Sequence, residues 1–346
     1  MEAMDRITQW RKAELALPLG ITVVVCTYNG AERLANTLQH LAAQGLPTTQ
    51  WELLLVNNAS TDATASLGPQ LWKQTGCKAQ ARFLEQPTPG KSHALMLAFQ
   101  QAKYRYIIIC DDDNWLSPNY LQLALEIMEN HPDYGIVGGR AEAVADEPLP
   151  EWFYEHQYAY ACGCPHSVSA NFTGTGMMWG AGMVLRTLVA KAILNPCLPT
   201  SLTGRLADQL TAGEDDEKCV RTWLMGFYTY FDYRLMLWHY MPARRLNEAY
   251  LTNLLKGFVN QGALIAAYRR TYNYNFKYKR SYHWLFQLPA WLYHAVAGNR
   301  NKRRIAAEYL FLSTNIKFWC TPEINKAVSF FNQSKSYQPT MFAAKS

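Results

Sequence analysis

Three short runs of this 346-residue chain carry almost no polar side chain: ITVVVC from Ile21, LLLV from Leu53 and YIIIC from Tyr106. A strand with one face in water alternates apolar and polar residues, whereas a run like these must be covered on both faces. Between the runs lie segments of helical character. Leu34, Leu38 and Leu41 recur at helical spacing, and PTPGKSHALMLAFQQA reads as a turn followed by a helix. ARFLEQ reads as a further short strand. Apolar strands alternating with helices predict an α/β fold with a mostly parallel, Rossmann-like sheet flanked by helices. In such a sheet ligands bind beyond the carboxyl ends of the strands. Each apolar run leads into a polar turn there, at residues 27–30, 57–62 and 111–113, so the sheet should gather these turns on one rim.

The last of these turns poses the sharpest question. Asp111, Asp112 and Asp113 follow a buried strand directly, and like charges that close together repel. One reading is a solvated turn leading into a helix, with Asn114, Ser117 and Pro118 as turn and helix-start residues. A cap uses one aspartate and not three, and the other reading places a cation between the carboxylates. Magnesium and manganese take oxygen ligands, and a nucleotide site typically supplies one or two carboxylates while phosphates complete the shell.

The composition is that of a globular protein, with 17% charged and 13% aromatic residues. The formal net charge of +6 suits a phosphate-bearing partner or an anionic membrane surface without requiring nucleic acid, and no nucleic-acid partner is expected. The first twenty residues contain no signal-type apolar core, and no run reaches the length of a membrane span. A cytoplasmic chain with reduced thiols is therefore expected. Cys162-Gly-Cys164-Pro-His166 resembles half a metal knuckle but lacks a second ligand pair at zinc spacing.

Beyond residue 150 the alternation loosens. NFTGTGMMWGAGMVLR is glycine-rich, GEDDEKCVRTWLMG reads as an acidic start followed by a helix, and FYTYFDYRLMLWHYMP is rich in β-formers. From Asn247 the chain turns helical, basic and aromatic. We divide it into an N-terminal arm (1–18), a main domain (19–246) and a C-terminal helical region (247–346). The mixture of Arg269, Arg270, Lys277 and Lys279 with Tyr272, Tyr274, Tyr278 and Trp284 fits two arrangements. It suits peripheral contact with the inner face of an anionic membrane. Equally, the aromatics would pack on the main domain while the charges face water.

Six segments in order now carry a resemblance. ITVVVCTYNGAERLANTLQHLAAQ, WELLLVNNASTDAT, CDDDNWLSPNYL, WGAGMVLR, GEDDEKC and LWHYMPARRL are similar to successive motifs of the family 2 glycosyltransferases, which have the GT-A fold. The resemblance implies transfer of a sugar from a nucleoside diphosphate sugar to a hydroxyl of a glycan or lipid-linked acceptor. Inversion at the anomeric carbon and a role in cell-surface polysaccharide or glycolipid synthesis go with it.

Carried over residue by residue, the resemblance places Thr27, Tyr28, Asn29, Glu32, Asn57, Asp62, Lys91, Asp111 and Asp112 around the nucleotide sugar. Asn57 stands where the family usually has an aspartate, and its amide offers a donor as well as an acceptor. Asp113 and His239 would hold a Mn2+ or Mg2+ ion, with Asp111 and Asp113 in the two acidic positions of the DXD motif. Trp179, Gly180, Ala181 and Gly182 would lie on the acceptor side. Of the four consecutive carboxylates Glu214, Asp215, Asp216 and Glu217, the resemblance selects Asp215 as the base that takes the acceptor proton, with Glu214 orienting acceptor or loop. Asp216→Asn and Glu217→Gln are expected to have mild effects on turnover. Thr211 and Glu214 stand at capping-box spacing.

Three rivals are weighed against this. A sugar nucleotidyltransferase would need a phosphate loop rich in glycine and arginine after the first strand, which CTYNGAERL does not supply. An aspartyl phosphatase would need a small β-branched residue where Trp115 stands. A non-catalytic carbohydrate- or nucleotide-binding protein would bind without turnover.

Overall fold

A computed structural model of the chain describes residues 12–165, 168–174, 176–196 and 213–272. The first strands are β1 (Ile21–Thr27), β2 (Trp51–Asn58), β3 (Gln80–Gln86) and β4 (Tyr106–Asp111). They lie parallel in the order β3-β2-β1-β4. Val23, Val25, Leu53, Leu55 and Ile108 face one side of the sheet and pack on Leu34, Leu38 and Leu41 of the helix Leu34–Ala42. Val24, Leu54, Val56, Ile107 and Ile109 face the other side and pack on Ala94, Leu95, Ala98 and Phe99 of the helix Lys91–Gln101. Alternate residues thus serve opposite cores, which is why the runs had to be apolar throughout.

The sheet continues with β8 (Val184–Arg186), β6 (Tyr134–Val144), β9 (Tyr228–Tyr240) and β5 (Asn114–Leu116), while β7 (Ala170–Asn171) pairs with β9. β8 runs antiparallel to both β4 and β6, and β6 and β9 are parallel. The expected mostly parallel α/β sheet with flanking helices is what forms. One local expectation changes. Asn114 begins a short edge strand, and the following helix starts only at Tyr120. β5 pairs with β9 in a register that sets Asn114 opposite His239, and the Tyr240 amide donates to the Asp113 carbonyl at 2.9 Å. This pairing brings a histidine from far along the chain to the aspartate turn.

The helix Glu248–Tyr272 returns to the main domain. Ile265 and Tyr268 join the core, Tyr268 Oη donates to Glu217 at 3.1 Å, and the Tyr272 ring lies 5.6 Å from that of Trp223. These aromatics therefore pack on the domain. The rest of the basic and aromatic segment lies outside the described residues. Among the described residues no helix is long and apolar enough to cross a membrane.

Candidate active site

The three aspartates are answered by three different cations. Lys91 Nζ meets Asp111 Oδ1 at 2.6 Å. Arg33 grips Asp112 through Nε to Oδ1 (3.0 Å) and Nη2 to Oδ2 (2.8 Å), and Thr27 Oγ1 donates to the same Oδ2 at 2.6 Å. Arg245 Nη1 meets Asp113 Oδ2 at 2.9 Å, while His239 Nε2 lies 3.3 Å from Oδ1. Neither of the sequence alternatives is complete: the turn is not solvated, since Asp112 and Asp113 are buried, and side-chain cations already stand beside it.

These pairings set the protonation states. Burial and the adjacent Asp113 push the Asp112 carboxyl up, against the opposing pull of Arg33 and Thr27. Burial lowers the basicity of Lys91, but Asp111, with Asp215 and Glu214 behind it, more than offsets this and leaves its pKa raised. His239 is likewise depressed by burial and raised more strongly by Asp113, reaching about 10. On its other side His239 Nδ1 lies 3.8 Å from the buried Cys162 Sγ. Cys162 of the knuckle-like run thus contacts a histidine outside that run; Cys164 is exposed, and His166 lies outside the described residues.

The aspartate turn opens into a cleft of about 810 Å³, a size suited to a nucleotide-sized ligand. Thr27, Tyr28, Lys91, Asp111, Asp112, Asp113, Trp179, Gly180, Ala181, Glu214, Asp215 and His239 all line it. Asn29, Glu32, Asn57, Asp62 and Gly182 do not, and each has other contacts. Asn29 adopts φ 47° and ties two rim loops together: its amide donates to Ser60 Oγ (2.9 Å) and its Oδ1 accepts from the Thr61 amide (2.8 Å). Asp62 accepts from the amides of Thr64 (2.9 Å) and Ala31 (3.3 Å), bracing the same turn. Glu32 is exposed and lies 3.9 Å from Arg244. Gly182 points its carbonyl at Tyr120 Oη, which donates at 2.6 Å.

Successive strand residues face opposite ways, so Asn57 and Asn58 cannot both reach the cleft. Asn57 Nδ2 donates to Glu85 at 2.7 Å, whereas Asn58 lines the cleft and holds the 86–90 loop through Gln86 O, Thr88 O and the Gly90 amide.

The helix Glu214–Leu224 brings its first turn to the cleft. Gly213, at φ 102°, stands at its N-cap, so Glu214 is the first helical residue; a capping box would require it to be the third. Asp215 accepts from the Gly180 amide (2.7 Å) through Oδ2 and pairs with Lys218 Nζ (2.9 Å) through Oδ1. Burial raises its pKa less than Lys218 and Lys91 lower it, so it stays below the usual carboxylate range. Its neighbours go the other way: burial and the Asp215 charge push Glu214 up, and the same two causes push Asp216 to about 7. Glu217 points inward, fully buried, to Arg221 at 2.7 Å.

Sequence reasoning passed over Arg33, Arg245, Lys218 and Tyr158, and it read Arg269 as part of the basic and aromatic C-terminal segment, whereas Arg269 lines the cleft. Arg33 and Arg245 stood inside quoted segments, but only the folded register reveals which aspartate each one meets.

The motif order can now be set against known proteins. The model of the family "Glycosyl transferase family 2" matches residues 22–194, which include the rim turns and the glycine segment. Poly(ribitol-phosphate) beta-N-acetylglucosaminyltransferase TarS of Staphylococcus aureus is 26% identical over 110 residues, 32% of this chain and 19% of that protein. The poly-beta-1,6-N-acetyl-D-glucosamine synthase of S. aureus is 26% identical over 146 residues, 42% of this chain and 34% of that protein. The chain thus matches about a fifth to a third of the length of these relatives. A solved structure of the mannosyltransferase PcManGT from Pyrobaculum calidifontis, in complex with GDP-Man and Mn2+, is 17% identical, with 97% of this chain and 96% of that one aligned at a TM-score of 0.50. That likeness speaks for the fold, the GT-A arrangement expected from the motifs. With the family model spanning the strands that carry Thr27, Asn57 and the three aspartates, the chain belongs to glycosyl transferase family 2.

Proposed function

We propose that the cleft transfers a sugar from a nucleoside diphosphate sugar to a hydroxyl of a glycan or lipid-linked acceptor, with inversion at the anomeric carbon. One observation carries this reading: paired aspartates with their cations and an ionised, amide-held Asp215 share a single cleft. The GDP-Man bound in the solved structure of PcManGT supports the donor class.

Asp215 takes the proton of the acceptor hydroxyl as that oxygen attacks. A low pKa makes it a weak base but keeps it ionised at neutral pH, and hydrogen-bond reach is the stricter requirement. Arg245, His239 and Lys91 would stand beside the departing diphosphate and stabilise its charge electrostatically.

Asp113 and His239 would hold a divalent ion, with His239 giving up its proton so that Nε2 can serve as a ligand. Their facing atoms are 3.3 Å apart, close to the separation of about 3 Å between neighbouring ligands of an octahedral ion with bonds of about 2.1 Å. Among the described residues no group of three or more His, Cys, Asp or Glu side chains is arranged to hold an ion, so donor phosphates would complete the shell. A Mn2+ or Mg2+ ion held there would supply Lewis-acid charge to the leaving diphosphate.

The test is release of nucleoside diphosphate from UDP-GlcNAc, UDP-glucose and GDP-mannose with Mn2+, with and without saccharide acceptors. Acceptor-stimulated release is expected for one donor. Release of pyrophosphate from a nucleoside triphosphate would point to the nucleotidyltransferase, and binding without release to a carbohydrate- or nucleotide-binding protein.

A further inference from the structure

A tyrosine from outside the quoted motifs shares the cleft with Trp179. The segment Glu151–Tyr160 is strongly aromatic, and most of it is anchored: Phe153 and Tyr160 are buried in a small core with Cys162, Met241 and Leu254. Tyr158 departs from this pattern. It is 54% exposed, lines the cleft, and lies 5.1 Å from the Trp179 ring at 55°. The two rings form an open corner. Trp179 is fixed relative to the reaction centre, because the next residue, Gly180, donates its amide to Asp215. Asp216 lies close enough to Tyr158 to raise the pKa of its phenol, after burial, and Arg269 is near both.

The chemistry of this corner is selective. The faces of aromatic rings carry partial negative charge and attract C–H groups polarised by neighbouring oxygens. The ionised Asp215 only accepts hydrogen bonds, and Asp216 keeps an acceptor oxygen whether or not it holds its proton, so the pair suits a ligand edged with hydroxyl donors. A pyranose presents both on one ring, a C–H face and a hydroxyl rim. A flexible polyol phosphate presents no rigid C–H face, and its charge would meet Glu214, Asp215 and Asp216 with Lys218 and Arg269 nearby.

We infer that the acceptor is a glycan whose terminal neutral pyranose ring stacks on Tyr158 and Trp179 and directs its hydroxyl hydrogens to Asp215 and Asp216. The inference rests on the transferase reading above and narrows its acceptor class.

Saturation-transfer NMR on the full chain tests it, with UDP or GDP and Mn2+ present. The probes are a β-linked N-acetylglucosamine disaccharide, a β-linked glucose disaccharide and ribitol 5-phosphate. Transfer to the ring C–H protons of at least one disaccharide is expected. It should fall about fivefold to tenfold in Tyr158→Ala and in Trp179→Ala and persist in Tyr158→Phe, which keeps the ring face. Tyr158 is largely exposed, so its alanine variant should fold even if the Trp179 variant does not; circular dichroism checks both. Undiminished transfer in folded Tyr158→Ala, or stronger transfer to ribitol 5-phosphate, overturns the inference. Loss of nucleotide binding by the wild type would sink the transferase reading instead, and thermal shift with the nucleotide alone reads that separately.

Discussion

The backbone amide of Gly180 donates to Asp215 Oδ2 at 2.7 Å, and a Cβ on residue 180 would lie 2.5 Å from the same carboxylate. Glycine is needed here for closeness of approach. Its φ is ordinary, so alanine would introduce no backbone strain but would displace the carboxylate. Gly180→Ala should therefore lower turnover by about a hundredfold, close to the effect of Asp215→Asn, with nucleotide affinity little changed. Steady-state kinetics with nucleotide titration decides it. A Gly180→Ala enzyme with normal turnover would show that the position of Asp215 is not critical.

The second expectation concerns charge at the aspartate turn. Asp113 faces Arg245 and His239 at once. Asp113→Asn should abolish turnover and also weaken Mn2+-dependent nucleotide binding, and EDTA should inactivate the wild type reversibly. Because the asparagine would leave Arg245 and His239 facing each other across a neutral amide, the variant should lose some stability as well. Unchanged activity in EDTA would remove the ion from the mechanism and leave Arg245 and His239 to stabilise the diphosphate.

The fold was legible because β1, β2 and β4 are buried on both faces, a requirement that leaves a mark on every residue of a strand. The rim was legible for the same reason: strand ends fix where the turns must gather. Partnership between side chains was not. Arg33, Arg245 and Lys91 each choose one aspartate through helix placement or strand pairing, and Asn114 opposite His239 is a long-range register that no local pattern encodes. The inward direction of Glu217 was not legible for the same reason. Successive helical residues point about 100° apart, so only some of four consecutive carboxylates can face the cleft, and which ones do is set by packing.

That separation makes Glu217 a stability residue. It is fully buried between Arg221 Nη2 at 2.7 Å and Tyr268 Oη at 3.1 Å. Glu217→Gln keeps the shape but leaves the buried Arg221 charge without its carboxylate, a class of change that costs about 3–5 kcal/mol. The midpoint of urea unfolding should fall sharply, an effect on stability separate from the mild effect on turnover expected from sequence. A variant as stable as wild type would mean that Arg221's remaining contacts, including Ile193 O at 2.8 Å, suffice for its charge.

Asp216, the next carboxylate but one from Glu214, gives the pH prediction. Burial and the Asp215 charge raise its pKa from 3.8 to about 7 in the folded protein. The unfolded chain ionises this group near its ordinary value, so between these two pKa values the native state holds a proton that the unfolded state has released. Stability from this group is complete below about pH 4, declines as pH rises toward 7, and is level above that. The full difference corresponds to about 4 kcal/mol as an upper bound, reduced by the partial exposure of the side chain. Asp216→Asn removes the titration. Relative to wild type it should gain stability at pH 8 and match it below about pH 4, with the difference opening progressively in between. Urea unfolding of both proteins across that range checks this. A constant difference at every pH would mean that Asp216 is ionised throughout, and that the Arg269 guanidinium nearby outweighs burial and its acidic neighbour.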